Sequence, residues 1–195
     1  MPLFLLTCAA YLIGAIPTGV LLTRMVGGED IRKAGSGNIG ATNVYRVAGR
    51  KLGIITLIGD CLKGVIPLVI AQQGFALGET SLALIAIAAF LGHCFPVYLG
   101  FKGGKGVATA LGIFLVLSPL AVLYTLIVFI LVLWKWRFIS LASISAAATI
   151  PLFIIITERS MPLFLATLII AGIVIWRHKT NIERLRSGSE NKFNL

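Results

Sequence analysis

Long apolar runs, separated by short polar or glycine-rich breaks, dominate the chain. About 20 residues at 1.5 Å rise cross the roughly 30 Å hydrocarbon layer of a bilayer. By that measure the candidate spans are Pro2–Thr23, Leu52–Ala71, Ser81–Leu99, Val107–Leu117, Leu120–Trp134, Ile139–Ile156 and Leu163–Trp176. The fourth run is short. It reaches crossing length only if its helix starts near Lys102, with Lys102 and Lys105 in its first turns. The alternative is one long helix kinked at Ser118-Pro119.

Charge chooses between these arrangements. With seven spans and the N-terminus outside, 15 of the 17 Lys and Arg residues fall on the inner side. Only Arg159 lies outside, and Lys63 lies within a span. Fusing the fourth and fifth runs would carry Lys135, Arg137 and the basic C-terminal segment outward, against the positive-inside rule. The predicted fold is therefore an all-α polytopic membrane bundle of seven transmembrane helices. Its N-terminus is outside, its C-terminus is cytoplasmic, and residues 1–195 form one domain.

Composition agrees. Hydrophobic residues make up 58% and charged residues 12% of the chain, where soluble domains average about 25% charged. Soluble globular, disordered and disulfide-scaffold classes are poor fits. Cys8, Cys61 and Cys94 lie in apolar segments at no metal-binding spacing and read as packing residues. Near the N-terminus there is no secretory cleavage pattern, so Pro2–Thr23 is expected to be retained.

Four polar constellations interrupt this scaffold. The segment Gly35-Ser36-Gly37-Asn38-Ile39-Gly40-Ala41-Thr42-Asn43 is rich enough in glycine to turn successive N–H groups into one anion-binding concavity. A short helix over 41–49 would add its positive N-terminus, and Arg46 a bidentate fork suited to phosphate. The plainer reading is a capped, flexible loop. The second constellation, Phe101-Lys102-Gly103-Gly104-Lys105-Gly106, sets two cations among small residues before the next apolar run. Lacking Ser or Thr after its lysine, it is not a nucleotide-binding P-loop. The plainer reading here is flanking positive charge, which does not call for glycines.

Asp60 and Lys63 share a helical face inside the second run, followed by Gly64 and Pro67. Ionisable groups at membrane depth are costly and point to function, or to a mutual ion pair that holds the bundle together. Pro67 is expected to open the helix. His93 precedes the glycine-lysine loop without a neighbouring carboxylate to orient it, which weakens a general-base role. In Arg177-His178-Lys179-Thr180-Asn181-Ile182-Glu183-Arg184-Leu185 the charge is what inner-side anchoring predicts; Asn181 is the residue anchoring does not require.

Taken in order and spacing, these motifs resemble the acyl-phosphate-dependent glycerol-3-phosphate acyltransferase (PlsY) family of bacterial membranes, over nearly the whole chain. Ile39 stands where that family commonly has proline, and Arg186 where it has an apolar residue. The resemblance implies fatty acyl transfer from acyl phosphate to the 1-hydroxyl of glycerol 3-phosphate, giving lysophosphatidate and phosphate, the first step of phospholipid synthesis. It implies a multi-pass enzyme of the inner membrane with a cytoplasmic active site, using neither cofactor nor metal. Ser36, Arg46, His93, Lys105 and Asn181 would be catalytic. Gly35, Gly37, Asn38, Gly40, Thr42, Asn43, Lys63, Gly64, Pro67, Lys102, Gly103, Gly104 and Gly106 would bind substrate. The implied partners are the two substrates, membrane lipid and a soluble enzyme that makes acyl phosphate; nucleic acid is not among them.

Direct attack by the glycerol hydroxyl fits these residues, with a substrate phosphate oxygen taking its proton. A Ser36 acyl-enzyme is the other mechanism. The other class of protein is a transporter or channel for an anionic metabolite, for which an internal repeat would be expected; the sequence contains none.

Overall fold

The computed structural model describes residues 2–193, and every regular element among them is helical. Ten α-helices follow one another: α1 (Pro2–Ala15), α2 (Thr18–Met25), α3 (Ala41–Ala48), α4 (Arg50–Val69), α5 (Glu79–Cys94), α6 (Val107–Leu117), α7 (Pro119–Trp136), α8 (Ile139–Glu158), α9 (Met161–Arg177) and α10 (Lys179–Arg186). Two compact units divide between Val116 and Leu117.

Four helical segments are long and apolar enough to cross a membrane: Arg50–Gly74, Glu79–Leu99, Pro119–Trp136 and Ile139–Glu158. Two bent pairs, α1 with α2 (43°) and α9 with α10 (53°), bring the number to as many as six. Several details depart from the apolar pattern. The first run is not one helix, because the chain breaks at Ile16-Pro17, where proline has no N–H to continue the ladder. The run containing Pro67 does not open there; α4 continues to Val69 and widens into a π-helical turn over Ile70–Gly74.

The helix of the fourth run starts at Val107, not near Lys102, and Lys102 and Lys105 lie in the irregular segment before it. At 11 residues α6 spans about 16 Å, roughly half the hydrocarbon thickness. The alternative of one fused helix also fails, because Ser118 takes an extended conformation (φ −157°, ψ 78°) between α6 and α7.

In the first unit, close backbone contacts set the helix directions. A Cβ on Gly19 would meet Thr56, one on Gly59 would meet Thr18, and Lys63 reaches Ile16, so α1–α2 runs antiparallel to α4. Gly64 abuts Thr109 and Ile113, and Thr109 Oγ1 donates to the Asp60 carbonyl (2.9 Å), so α6 runs parallel to α4. The end of α2 and the starts of α4 and α6 therefore share one end of the unit. The segments 26–40 and 95–106 lie there too. Beneath them Val20, Ile31, Ile39 and Val44 form a buried cluster against which Ala48, Leu52 and Leu99 pack.

In the second unit α8 packs against both α7 and α9. The α7–α8 turn, with Lys135 and Arg137, shares an end with α10. The tail returns there: Phe193 N–H donates to the Arg137 carbonyl at 2.7 Å.

Candidate functional site

Asn43 organises the glycine-rich loop before α3. Its buried side chain accepts from the Ser36 N–H (2.8 Å) and donates to the carbonyls of Ile31 (3.2 Å), Ala34 (3.0 Å) and Asn38 (2.8 Å). Asn38 Oδ1 accepts from Gly40 N–H at 2.8 Å, and Gly37 N–H donates to Ala34. Gly35 and Gly37 adopt left-handed φ of +58° and +69°, which side chains with a Cβ rarely tolerate. At Gly35 a Cβ would also strike Asn43 Oδ1.

Several N–H groups expected to cradle an anion are thus spent on the loop's own bonds. The loop is a preformed shell, not an open nest. Asn43 and Asn38 hold its shape. Ala41 and Thr42 open α3, where the first N–H groups of a helix have no intrahelical acceptor. Ser36 and Arg46 are exposed at the same end.

The second constellation docks on the end of α5. Gly104 N–H donates to the His93 carbonyl at 3.1 Å. A Cβ on Gly103 would collide with the His93 carbonyl and Pro96, and one on Gly104 with the His93 ring. Gly106, at φ +81°, lies against the Phe90 ring and Cys94. These glycines let the loop lie flush on buried side chains, while Lys102 is exposed and Lys105 half-buried beside it.

Beneath that loop is a charged cluster at membrane depth. Lys63 Nζ lies 2.7 Å from Asp60 Oδ1, donates to the Ile16 carbonyl at 2.6 Å and lies 3.3 Å from His93 Nδ1. His93 Nδ1 is 3.9 Å from Asp60 Oδ1, and all three side chains are buried. The carboxylate that His93 lacks in its local sequence comes from another helix. Lys63 also holds the carbonyl at the Ile16-Pro17 break, so its ammonium is directed at protein acceptors. Gly64 and Pro67 are buried along the same helix, Gly64 where α4 and α6 touch.

Asn181 belongs to the second unit. Its Nδ2 donates to Glu190 Oε1 at 2.7 Å, and Ser140 Oγ donates to the same oxygen at 2.6 Å. Arg184 Nε donates to Glu190 Oε2 at 2.7 Å. Burial raises the Glu190 carboxyl, but hydrogen bonds from Ser140, Arg184 and Asn181 outweigh it and hold the group below the usual carboxylate range. In the first unit, Asp30 is held well below that range by the Arg32 side chain and backbone N–H.

Sequence reasoning passed over Glu190, Thr109 and the link from Asp60 to His93. An acid in a basic tail, one of two there with Glu183, was the available signal for Glu190. The other two depend on packing between distant segments.

Fold and polar end together define an all-helical membrane protein with cationic, glycine-rich loops at one end of its first unit. The chain belongs to the glycerol-3-phosphate acyltransferase family, whose profile matches residues 4–188. It is 63% identical over 190 residues to a glycerol-3-phosphate acyltransferase of Syntrophotalea carbinolica, covering 97% of each chain. To the Aquifex aeolicus protein of the same name it is 41% identical, over 99% of this chain and all of that one. The crystal structure of PlsY, an integral membrane glycerol 3-phosphate acyltransferase, in its glycerol 3-phosphate form superposes with a TM-score of 0.94 at 39% identity. Its lysophosphatidic acid form gives 0.92. Both matches cover 100% of this chain and 96% of that one.

Proposed function

We propose that this chain transfers a fatty acyl group from acyl phosphate to the 1-hydroxyl of sn-glycerol 3-phosphate in the bacterial inner membrane. The products are 1-acyl-sn-glycerol 3-phosphate and inorganic phosphate. The observation that carries this reading is that two glycine-rich segments, residues 35–43 and 101–106, lie at one end of the first unit together with Ser36, Arg46, Lys102 and Lys105, in a chain of this family. Related crystal forms named for glycerol 3-phosphate and for lysophosphatidic acid match a substrate and a product of that reaction.

The chemistry needs little more than positioning and charge. An acyl phosphate is a mixed anhydride with a good leaving group. The glycerol hydroxyl oxygen attacks the acyl carbon, the carbon–oxygen bond to phosphate breaks, and a phosphate oxygen takes the hydroxyl proton. Arg46, Lys105 and the loop amides at Ala41 and Thr42 stabilise the leaving phosphate and the developing oxyanion. Ser36 orients the reactants, while Asn43, Asn38 and the glycines keep the loops in shape. Lys63, Gly64 and Pro67 support the site from below. The whole chain acts as one acyltransferase domain of seven spans, N-terminus out and C-terminus in, with this end cytoplasmic. A soluble enzyme supplies the acyl phosphate.

Purified protein in detergent tests the assignment with a panel of donors. Acyl phosphate with glycerol 3-phosphate yields lysophosphatidate, whereas acyl-CoA and acyl-carrier-protein thioesters yield none. Activity with a thioester but not with acyl phosphate overturns the donor. Inactivity with every donor, together with anion flux into sealed vesicles, returns the transporter reading.

A further inference from the structure

The buried Asp60–Lys63–His93 cluster fixes more than a salt bridge. A lysine ammonium carries three protons and accepts none. Around Lys63 Nζ are three acceptors: Asp60 Oδ1 at 2.7 Å, the Ile16 carbonyl at 2.6 Å and His93 Nδ1 at 3.3 Å. Donors and acceptors match only if Nδ1 is the unprotonated nitrogen. A proton on Nδ1 would set two donors against each other, and an imidazolium would place two cations 3.3 Å apart in a buried site.

We infer that Asp60 is a positioning residue: by its ion pair with Lys63 it aims the Lys63 donors at Nδ1 and locks His93 as the neutral tautomer with its proton on Nε2. That nitrogen lies on the side of the ring against which Gly104 packs. With the Nδ1 lone pair engaged by Lys63 and Nε2 already protonated, His93 is a hydrogen-bond donor and not the base that deprotonates the glycerol hydroxyl. This deepens the acyl-transfer reading and gives a structural reason for the proton to go to a substrate phosphate oxygen.

The other histidine provides an internal contrast. His178 Nδ1 lies 2.7 Å from the Val174 carbonyl, which only accepts, so there Nδ1 must carry the proton. The test is nitrogen NMR of ¹⁵N-histidine-labelled protein in lipid nanodiscs at neutral pH, with His93→Gln used to assign the signals. The expected spectrum gives His93 an unprotonated Nδ1 and a protonated Nε2, with Nδ1 protonated in His178. A protonated Nδ1 on His93, or a doubly protonated ring, overturns the inference. This readout needs no substrate, so its failure is distinct from failure of the proposed reaction.

The double variant D60N/K63M removes the two charges together and avoids stranding one. In it His93 is expected to lose its single tautomer, and kcat to fall by up to about 100-fold, the loss that follows a ~1 Å misplacement of a positioned group. KM for glycerol 3-phosphate should change far less. D60E, which keeps the carboxylate, should retain both the tautomer and most of kcat. An unchanged tautomer and kcat in D60N/K63M overturn the role of Asp60. If that variant does not fold, the wild-type spectrum decides the tautomer and the response of D60E decides the role.

Discussion

Replacing Gly104 by alanine probes the packing that joins the lysine-bearing loop to His93. An added Cβ would lie 3.0 Å from His93 Cε1 and 3.1 Å from Cδ2, and closer still to Nε2. Both partners are tethered, the loop less firmly than the ring. The ring is held at Nδ1 by Lys63, and the Gly104 N–H is tied to the His93 carbonyl at 3.1 Å. Overpacking of this kind costs about 1–3 kcal/mol. Displacing the loop relieves it, because that segment is irregular and carries exposed Lys102, whereas His93 is buried between helices. A shift of about 1 Å in a positioning group is enough to lose about 100-fold in rate. G104A should therefore lose about two orders of magnitude in kcat/KM, measured as phosphate release, while its midpoint of thermal unfolding in detergent falls by only a few degrees. Gly172 is the control, since a Cβ there meets nothing within 4 Å; G172A should remain fully active. A G104A enzyme as active as wild type would refute the claim that loop and histidine form one packed unit.

Three other substitutions test separate parts of the account. Asn43→Asp keeps the acceptor for Ser36 but loses the donors to Ile31, Ala34 and Asn38; at about 1 kcal/mol per bond, limited proteolysis should cut within residues 31–40, and wild-type resistance would contradict the keystone role. Arg46 is exposed on α3, so Arg46→Lys should leave unfolding unchanged yet lower kcat/KM about tenfold or more, because an ammonium does not reproduce a bidentate fork; full activity would remove Arg46 from the phosphate site. Glu190 titrates below its usual range in the folded chain, so its stabilisation is present above the ordinary carboxylate pKa and is lost as pH falls through the lowered one. Acidification should therefore release the tail from Ser140 and Arg184, seen as faster hydrogen exchange at 187–193, and E190Q should show that faster exchange already at neutral pH.

The helical, membrane-embedded character was legible because bilayer thickness imposes a length on apolar runs that the residues display directly. Four predicted spans reappear within a few residues of their expected ends. The break at Ile16-Pro17 was not read, because the apolar run continues through it; Pro67, by contrast, was expected to open α4 and lies within a continuous helix. The start of α6 was not read either. Residues 102–106 stay irregular because Gly103 and Gly104 lie against His93, Cys94 and Pro96; the three glycines were a local signal against helix there, which the length argument overrode. Similarly, Asn38, Thr42 and Asn43 were expected alike to bind substrate, whereas burial makes Asn43 the centre of the loop and leaves Thr42 at the helix start. Lys63 and Asp60, which lie beside His93 Nδ1, stand 30 and 33 residues earlier in the chain, and only the packing of α4 against α5 brings them there.

The central claim is direct transfer between two substrates held at the basic end of the first unit. Its most direct measurement is rapid mixing of stoichiometric purified enzyme with acyl phosphate, before and after addition of glycerol 3-phosphate. The account predicts no phosphate release from acyl phosphate alone, followed by release equal to the lysophosphatidate formed once the acceptor is present. A burst of phosphate equal to the enzyme concentration without acceptor, with the acyl group retained on Ser36, would contradict it.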